Sequence, residues 1–167
     1  GVVEQSNGEL RIYSEEGLGT TVSLVLPRGT EDNRREAPHK RAKAPKGQGQ
    51  RILVVEDEES LLSIVTEVVR SLNYEVLPAS SGREALDLVE AGEPFDLLLT
   101  DVVMPGGIGG FKLAAEVRKR RPDMPVVYMT GYSGLLEVEM GEVVAPTLQK
   151  PCPPVDLAKT LKQELEG

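Results

Sequence analysis

Short apolar runs alternate with amphipathic stretches from residue 51 to residue 166, and this alternation restricts the fold more than any other feature of the 167-residue chain. The runs have the length and continuity of strands that are buried on both faces of a sheet. The stretches between them place apolar residues three and four positions apart, which is the spacing of one helix face. Strands that alternate with helices form a parallel sheet with helices on both sides. We therefore expect an α/β fold with a doubly wound five-stranded parallel sheet.

The elements that this pattern predicts follow one another in strict alternation. The strands are predicted at 51–55, 74–79, 95–100, 125–129 and 147–149. The helices are predicted at 60–71, 82–91, 110–121, 133–141 and 154–166. Ser81 is expected to cap the second helix, and Glu84, three positions later, would complete a capping box.

Chemically capable residues stand where four of the predicted strands end. In an open parallel sheet, ligands bind beyond these carboxyl ends, so the side chains are expected to share one rim. They are the carboxylates of Glu56, Asp57 and Asp101, the hydroxyl of Thr130 and the ammonium of Lys150.

This combination of groups indicates phosphoryl chemistry. Carboxylates brought close together repel, so they either bind a hard cation or take up protons, and Mg²⁺ suits such a site. Lys150 and Thr130 could then bind the remaining phosphate oxygens, and an aspartate can itself be a covalent nucleophile. Any one of these residues alone is more often a helix cap or a surface residue, so the prediction rests on the set.

Four sequence blocks resemble the signature motifs of the two-component receiver family. They read ILVVEDE (52–58), LLTDVVMP (98–105), MTGY (129–132) and QKP (149–151), in the family's order and spacing. The resemblance covers about 51–166 and implies a flavodoxin-like receiver fold with strand order 2-1-3-4-5.

The resemblance also implies a role for each site residue. Asp101 would be the phosphoacceptor, Thr130 would hydrogen-bond the phosphoryl group and change position on activation, and Lys150 would pair with a phosphoryl oxygen. The Lys150–Pro151 bond would be cis. The Mg²⁺ ligands would be Glu56 (through water), Asp57, Asp101 and the backbone carbonyl of Val103.

Residues 1–28 carry a second resemblance. Apolar residues alternate on either side of a glycine-containing turn, which predicts a β-hairpin, and GELRIYSE (8–15), GLGTTV (17–22) and LP (26–27) resemble the end of a histidine-kinase ATP-binding domain. The asparagine-bearing helix and the earlier glycine boxes of that domain are missing, so we expect no ATP binding. Residues 29–50, rich in charge, proline and glycine, are expected to form a flexible linker before the receiver domain at 51–167.

This order is similar to that of a hybrid sensor histidine kinase, of which the chain would be the C-terminal fragment. The fragment would promote only phosphorylation and dephosphorylation of its own aspartate, while the parent protein would be the kinase. The implied partners are a phosphohistidine domain, in the same chain or another, and a histidine phosphotransfer protein. We expect bacterial origin.

Charge and composition exclude several other functions. The chain has a net charge of −8, and most of the negative charge lies in residues 51–167, which contain 11 Lys and Arg against 20 Asp and Glu. Such an acidic domain is poorly suited to nucleic acid. The apolar runs are too short to cross a bilayer, and a single cysteine, Cys152, fits a reducing cytoplasm.

Some positions depart from the family pattern. Thr147 stands where the family often has a switch aromatic. Val103, which is apolar, and Tyr132, which is bulky, flank the expected path of the hydrolytic water, and we expect them to impede water and lengthen the lifetime of the aspartyl phosphate. The glycine-rich loop 105–110 is either a mobile lid beside Asp101 or a turn that needs positive φ, and the sequence does not decide between them.

Two other functional classes remain open at this point. The first is a phosphorylation-independent interaction module, or pseudo-receiver, that uses the fourth and fifth helices and regulates its parent kinase. The second is a phosphatase with an aspartate nucleophile, although such enzymes usually carry a second Asp two residues later, where this chain has Val103.

Overall fold

A computed structural model describes residues 8–15, 19–27, 44–105, 107–131 and 145–166. The chain divides into two units, residues 1–41 and residues 42–167. Within the described ranges, no helix combines the length and apolarity that a bilayer crossing requires.

The described part of the first unit is an antiparallel β-hairpin, which confirms the predicted hairpin. Leu10 lies opposite Leu24, and Ile12 lies opposite Val22. Because side chains alternate between the two faces of a strand, these four share one face, and each is more than half exposed. The strands are β1, Glu9–Glu15, and β2, Gly19–Val25.

The second unit is a parallel five-stranded sheet with helices on both faces. Its strands are β3, Arg51–Val55; β4, Glu75–Ala79; β5, Leu97–Asp101; β6, Val126–Thr130; and β7, Thr147–Gln149. Its described helices are α1, Glu59–Ser71; α2, Gly82–Glu90; α3, Gly110–Arg120; and α4, Pro154–Glu166.

The strand order confirms the predicted topology. It is β4-β3-β5-β6-β7, which is the order 2-1-3-4-5 when counted within this unit. Element ends differ from the sequence prediction by one or two residues, and one shift matters: β5 includes Asp101 as its last residue. The predicted helix at 133–141 lies outside the described residues.

The core has two layers, one on each face of the sheet. On β3, Leu53 and Val55 pack in the layer under α2 and α3, while Ile52 and Val54 pack in the layer under α1 and α4. All four are fully buried, and burial of each such side chain contributes about 1.5–3 kcal/mol. This explains why the strand is a continuous apolar run: neither of its faces meets water.

The predicted cap of α2 is present in a modified form. The Ser81 hydroxyl accepts a hydrogen bond from the Glu84 backbone N–H at 3.2 Å. The Glu84 carboxylate, however, accepts from the backbone N–H and the hydroxyl of Ser80, each at 2.7 Å. It therefore reaches one residue further back than a capping box would place it.

The predicted linker, 29–50, extends too far at its C-terminal end. The Gly47 N–H donates to Leu72 O at 2.8 Å, the Gly49 N–H donates to Asn73 O at 3.1 Å, and the Asn73 side-chain amide donates to Gly47 O at 2.8 Å. Residues 44–50 are thus bound to the turn between α1 and β4. Their composition gave no sign of this, because the bonds are made mainly by backbone groups.

Candidate functional site

The candidate site lies at the carboxyl ends of the parallel strands. Glu56 directly follows β3, and Asp101 and Thr130 are the last residues of β5 and β6. Lys150 directly follows β7, and its N–H donates to Thr130 O at 2.7 Å. The structure therefore brings together the residues that the strand-end pattern selected.

Three carboxylates form the acidic part of the site. One oxygen from each of Glu56, Asp57 and Asp101 lies within 4.8 Å of the others. Glu56 and Asp101 are buried, whereas Asp57 is exposed. Two of the charges are thus shielded from water, and the third faces it.

The Lys150 ammonium lies between the two buried carboxylates. Its Nζ donates to Glu56 Oε2 at 2.5 Å and to Asp101 Oδ2 at 2.7 Å. The bridge joins the end of β7 to the ends of β3 and β5. We expected Lys150 to pair with a phosphoryl oxygen, and its contact with Glu56 was not foreseen.

Burial and charge shift the pKa values of this pair. Burial raises the pKa of Glu56 and outweighs the lowering effect of the Lys150 ammonium, while the charges of Asp101 and Asp57 raise it further. For Lys150, burial is the largest single influence and lowers the pKa, but the hydrogen bonds to Asp101 and Glu56 together raise it. The ammonium form of Lys150 is therefore the favoured one in the folded protein.

Backbone bonds hold Asp101 in place. Asp101 Oδ1 accepts from the Val103 N–H at 3.3 Å, and Asp101 O accepts from the Thr100 hydroxyl at 3.0 Å. The next residue is tied to the neighbouring strand, because the Val102 N–H donates to Met129 O at 2.9 Å. The Asp101 carboxylate thus extends from a strand end that is bonded to β6.

The donor set suits a hard divalent cation. Mg²⁺ prefers oxygen ligands, is commonly held by one or two carboxylates, and keeps some of its waters. The exposed Asp57 and the neighbouring Asp101 offer such oxygens within 4.8 Å of each other. No sulfur or imidazole ligand belongs to the acidic cluster that the described residues form.

Residues 52–162 match the family described as the response regulator receiver domain. The chain belongs to this family. The match covers all of the second unit's sheet except Arg51, and all the site residues named above, so the resemblance found in the sequence is confirmed.

Known proteins related to this receiver include kinases and regulators of bacteria. Over 176 aligned positions, 99% of the chain is 32% identical to the sensor kinase CckA of Brucella abortus, and the match spans 18% of that kinase. The solved receiver domain of a hybrid histidine kinase CckA is 38% identical, with a TM-score of 0.58, over 69% of this chain and 98% of that one. The response regulator TrrA from Thermotoga maritima, solved in complex with Mg²⁺ and BeF, is 32% identical, with a TM-score of 0.63, over 70% of this chain and 99% of that one.

Thr147 is a position at which the sequence departs from the family pattern. Thr147 pairs with Tyr128 on the neighbouring strand, and its buried hydroxyl has no hydrogen-bond partner among the described residues. The aromatic group at this level of the sheet is Tyr128, whose ring packs edge-on against Phe111 at a centroid distance of 4.8 Å. Tyr132, the other residue noted in the sequence, lies outside the described residues.

A pocket of about 380 Å³ opens beside the receiver's site, and the strand-end pattern did not predict it. It lies between α1 and α4, with Glu56 and Lys150 among its lining residues. The sequence did carry a signal for it. Ile64, with Leu61 and Val68 at helical spacing, gives α1 a second apolar stripe, and Ile64 remains 57% exposed.

Proposed function

We propose that this receiver is a phosphoacceptor of two-component signalling, in which Asp101 takes a phosphoryl group from a phosphohistidine with the help of Mg²⁺. The observation that supports this most directly is the position of Asp101. Its carboxylate lies within 4.8 Å of two other carboxylates and 2.7 Å from the Lys150 ammonium. Asp101 therefore lies next to the carboxylates that could bind Mg²⁺ and next to the ammonium that could bind a phosphoryl oxygen.

The transfer is a displacement at phosphorus. An Asp101 carboxylate oxygen forms a bond to phosphorus while the phosphorus–nitrogen bond of the phosphohistidine breaks, and the electron pair of that bond returns to the imidazole. Most of the catalysis in such a reaction consists of positioning and charge stabilisation. The backbone bonds around Asp101 supply the positioning.

Lys150 and Thr130 stabilise the incoming charge. Lys150 Nζ already lies against Asp101 Oδ2, so it is placed to donate to an oxygen of the phosphoryl group on that carboxylate. Thr130, at the end of the adjacent strand, would donate its hydroxyl to another phosphoryl oxygen and change position when it does so. Preorganised donors of this kind need little reorganisation during the reaction.

Mg²⁺ would be held by Asp57, Asp101 and the backbone carbonyl of Val103, with Glu56 acting through water. When bound, it neutralises the charge that the phosphoryl oxygens bring to an already acidic site. The burial of Glu56 supports the water-mediated role, because of the two carboxylates that bind Lys150 it is the more enclosed, 1% exposed against 8% for Asp101.

The surrounding protein is proposed to be a hybrid histidine kinase of the cytoplasm. The similarity to CckA extends over 99% of the chain and therefore includes the hairpin. We take residues 1–28 as the end of an ATP-binding domain that precedes the receiver. The phosphodonor is a phosphohistidine domain of the same chain or a partner, and a histidine phosphotransfer protein is the other candidate partner.

The proposal is tested by intact-mass measurement after incubation with acetyl phosphate and Mg²⁺. We expect one phosphoryl group on the wild-type chain, none on Asp101→Asn, and none when a chelator is present. Asp123→Asn is the matched control, because Asp123 is exposed and far along the chain from the strand-end carboxylates. An unlabelled wild type, under conditions that label another receiver, contradicts the proposal and favours the pseudo-receiver alternative.

A further inference from the structure

We infer that Gly110, supported by Gly82, is a positioning residue for the phosphoacceptor: without side chains at these positions, the start of α3 lies against the Asp101 backbone and the start of α2 lies against Ile108. This inference rests on the proposed function, since it concerns the same aspartate. It assigns a role to Gly110, the last residue of the glycine-rich loop, that is neither that of a mobile lid nor that of a turn with positive φ.

The first observation is the approach of α3 to Asp101. A Cβ on Gly110 would lie under 3.0 Å from the Asp101 carbonyl oxygen, and 3.2 Å from the Thr100 methyl group. The Gly110 N–H also donates to Val102 O at 3.0 Å. The first residue of α3 is therefore packed directly against the backbone of Asp101 and bonded to that of the residue after it.

The second observation is a similar approach one helix earlier. A Cβ on Gly82, the first residue of α2, would lie under 3.0 Å from the Ile108 carbonyl oxygen. Ile108 is two residues before Gly110 and belongs to the loop that connects β5 to α3. Ile108 thus lies against the start of α2, and Gly110 lies against Asp101.

The backbone angles exclude positive φ as the reason for these glycines. The left-handed glycines among the described residues are Gly19, Gly49 and Gly92, and none belongs to the 105–110 loop or begins a helix. Close approach of two backbones is the other reason for a glycine. It also argues against independent movement of residues 108–110, because a segment in such contact cannot move without displacing its neighbours.

The consequence for the site is that backbone positions around Asp101 have little freedom. The Val103 N–H bonds Asp101 Oδ1, so a shift of the backbone after Asp101 changes the orientation of the carboxylate itself. Displacement of a reacting group by about 1 Å can reduce a rate by roughly a hundredfold. A methyl group at position 110 would force a displacement at this point.

Helix propensity alone would predict that Gly110→Ala does no harm. Alanine is the better helix former, so Gly→Ala at a position with ordinary φ normally stabilises a protein. Gly107→Ala is a control within the same loop, because a Cβ there would meet nothing within 4 Å. Gly109→Ala is intermediate, with the new Cβ 3.1 Å from Val102 O.

The experiment compares the full chain with Gly107→Ala, Gly109→Ala and Gly110→Ala. For each, the Mg²⁺ dissociation constant is measured by calorimetry, the labelling rate with acetyl phosphate by intact mass, and the unfolding midpoint by circular dichroism. We expect Gly107→Ala to match the wild type. We expect Gly110→Ala to bind Mg²⁺ more weakly and to be labelled roughly ten- to a hundredfold more slowly, with Gly109→Ala between the two.

The outcomes separate the inference from the proposed function. An unlabelled wild type contradicts the proposed function itself. A labelled wild type with Gly110→Ala equal to Gly107→Ala in Mg²⁺ binding and labelling rate overturns the positioning role alone. If Gly110→Ala does not fold, Gly109→Ala decides: weaker Mg²⁺ binding at an unchanged unfolding midpoint supports the role, and Mg²⁺ binding equal to that of Gly107→Ala overturns it.

Discussion

Lys150 Nζ lies 2.7 Å from Asp101 Oδ2, and the same ammonium neutralises the buried Glu56. Removal of one partner from a buried ion pair leaves an uncompensated charge, which costs about 3–5 kcal/mol. We therefore expect Lys150→Met to lower the free energy of unfolding by about 3 kcal/mol in urea at neutral pH without Mg²⁺.

Two further variants test that explanation. Lys162→Met is the matched control, because Lys162 pairs with Glu166 on the surface at 3.6 Å, where such pairs contribute about 0–1 kcal/mol. Glu56→Gln added to Lys150→Met should restore much of the loss. If Lys150→Met and Lys162→Met lose the same free energy of unfolding, the buried ion pair contributes no more to stability than the surface pair.

Val103 provides a prediction about the lifetime of the phosphorylated state. Val103 is 44% exposed, and its backbone N–H donates to Asp101 Oδ1. Val103→Asn should speed the loss of the phosphoryl group about two- to tenfold, because a carboxamide can hydrogen-bond the attacking water with about 0.5–1.5 kcal/mol. The measurement is the decay of the phosphorylated mass after removal of the phosphodonor.

Val103→Ala separates the two parts of that effect. It removes bulk without adding a hydrogen-bonding group, so a faster decay in both variants would show that the side chain acts by excluding water. If neither variant changes the decay, Val103 does not control hydrolysis.

Gly47 tests whether residues 44–50 belong to the folded receiver. A Cβ on Gly47 would lie under 3.0 Å from three atoms of the Tyr74 ring. Gly47→Ala should therefore lower the free energy of unfolding by about 1–3 kcal/mol, the range found for overpacking. The Gly49 amide, which bonds Asn73 O, should also exchange its hydrogen faster.

Gln48→Ala is the control for that prediction. The Gln48 side chain is exposed, so its removal should change the stability by about 0.5 kcal/mol or less. If Gly47→Ala has the unfolding free energy and the Gly49 amide exchange rate of the wild type, residues 44–50 belong to the flexible linker that their composition indicates.

Cys152 gives a prediction about pH. Burial, followed by the negative charge of Asp156, raises the pKa of its thiol above the ordinary 9.0, against a smaller lowering by the Leu157 N–H. Because the folded pKa is raised, the contribution of Cys152 to stability is complete below pH 9.0 and is lost as the pH rises through the folded value.

Alkylation by iodoacetamide measures this shift, because the thiolate is the reactive form. The folded chain should react more slowly at pH 8 than the chain in urea, and its rate should still be rising above pH 9.0. A rate that levels off below that pH would contradict the raised pKa, and Cys152→Ser should remain unlabelled.

The sequence predicts the rim of carboxylates well, because that prediction needs only periodicity and topology. Glu56 and Asp101 each follow or end a continuous apolar run, and parallel strands bring such ends to one edge. The strand order required the family resemblance, since alternation alone is compatible with several orders.

Other features could not be predicted because backbone atoms make them. The Gly47 N–H bonds Leu72 O, but in the sequence Gly47 is indistinguishable from a glycine of a linker. Gly110 lies against Asp101, but in the sequence it is indistinguishable from a glycine of a turn.

The bond between Glu56 and Lys150 is made by side chains and could not be predicted for another reason. It joins residues 94 positions apart, and no local pattern marks one lysine as the partner of one carboxylate.

The most direct test of the central claim is to locate the phosphoryl group on the chain. Borohydride reduces an aspartyl phosphate to homoserine, so treatment of the acetyl phosphate-labelled protein followed by peptide mass spectrometry marks the modified residue. We predict homoserine at position 101 only, and only when Mg²⁺ was present during labelling. Homoserine at Asp57 or elsewhere, or none in a protein whose intact mass shows the phosphoryl group, would contradict Asp101 as the phosphoacceptor.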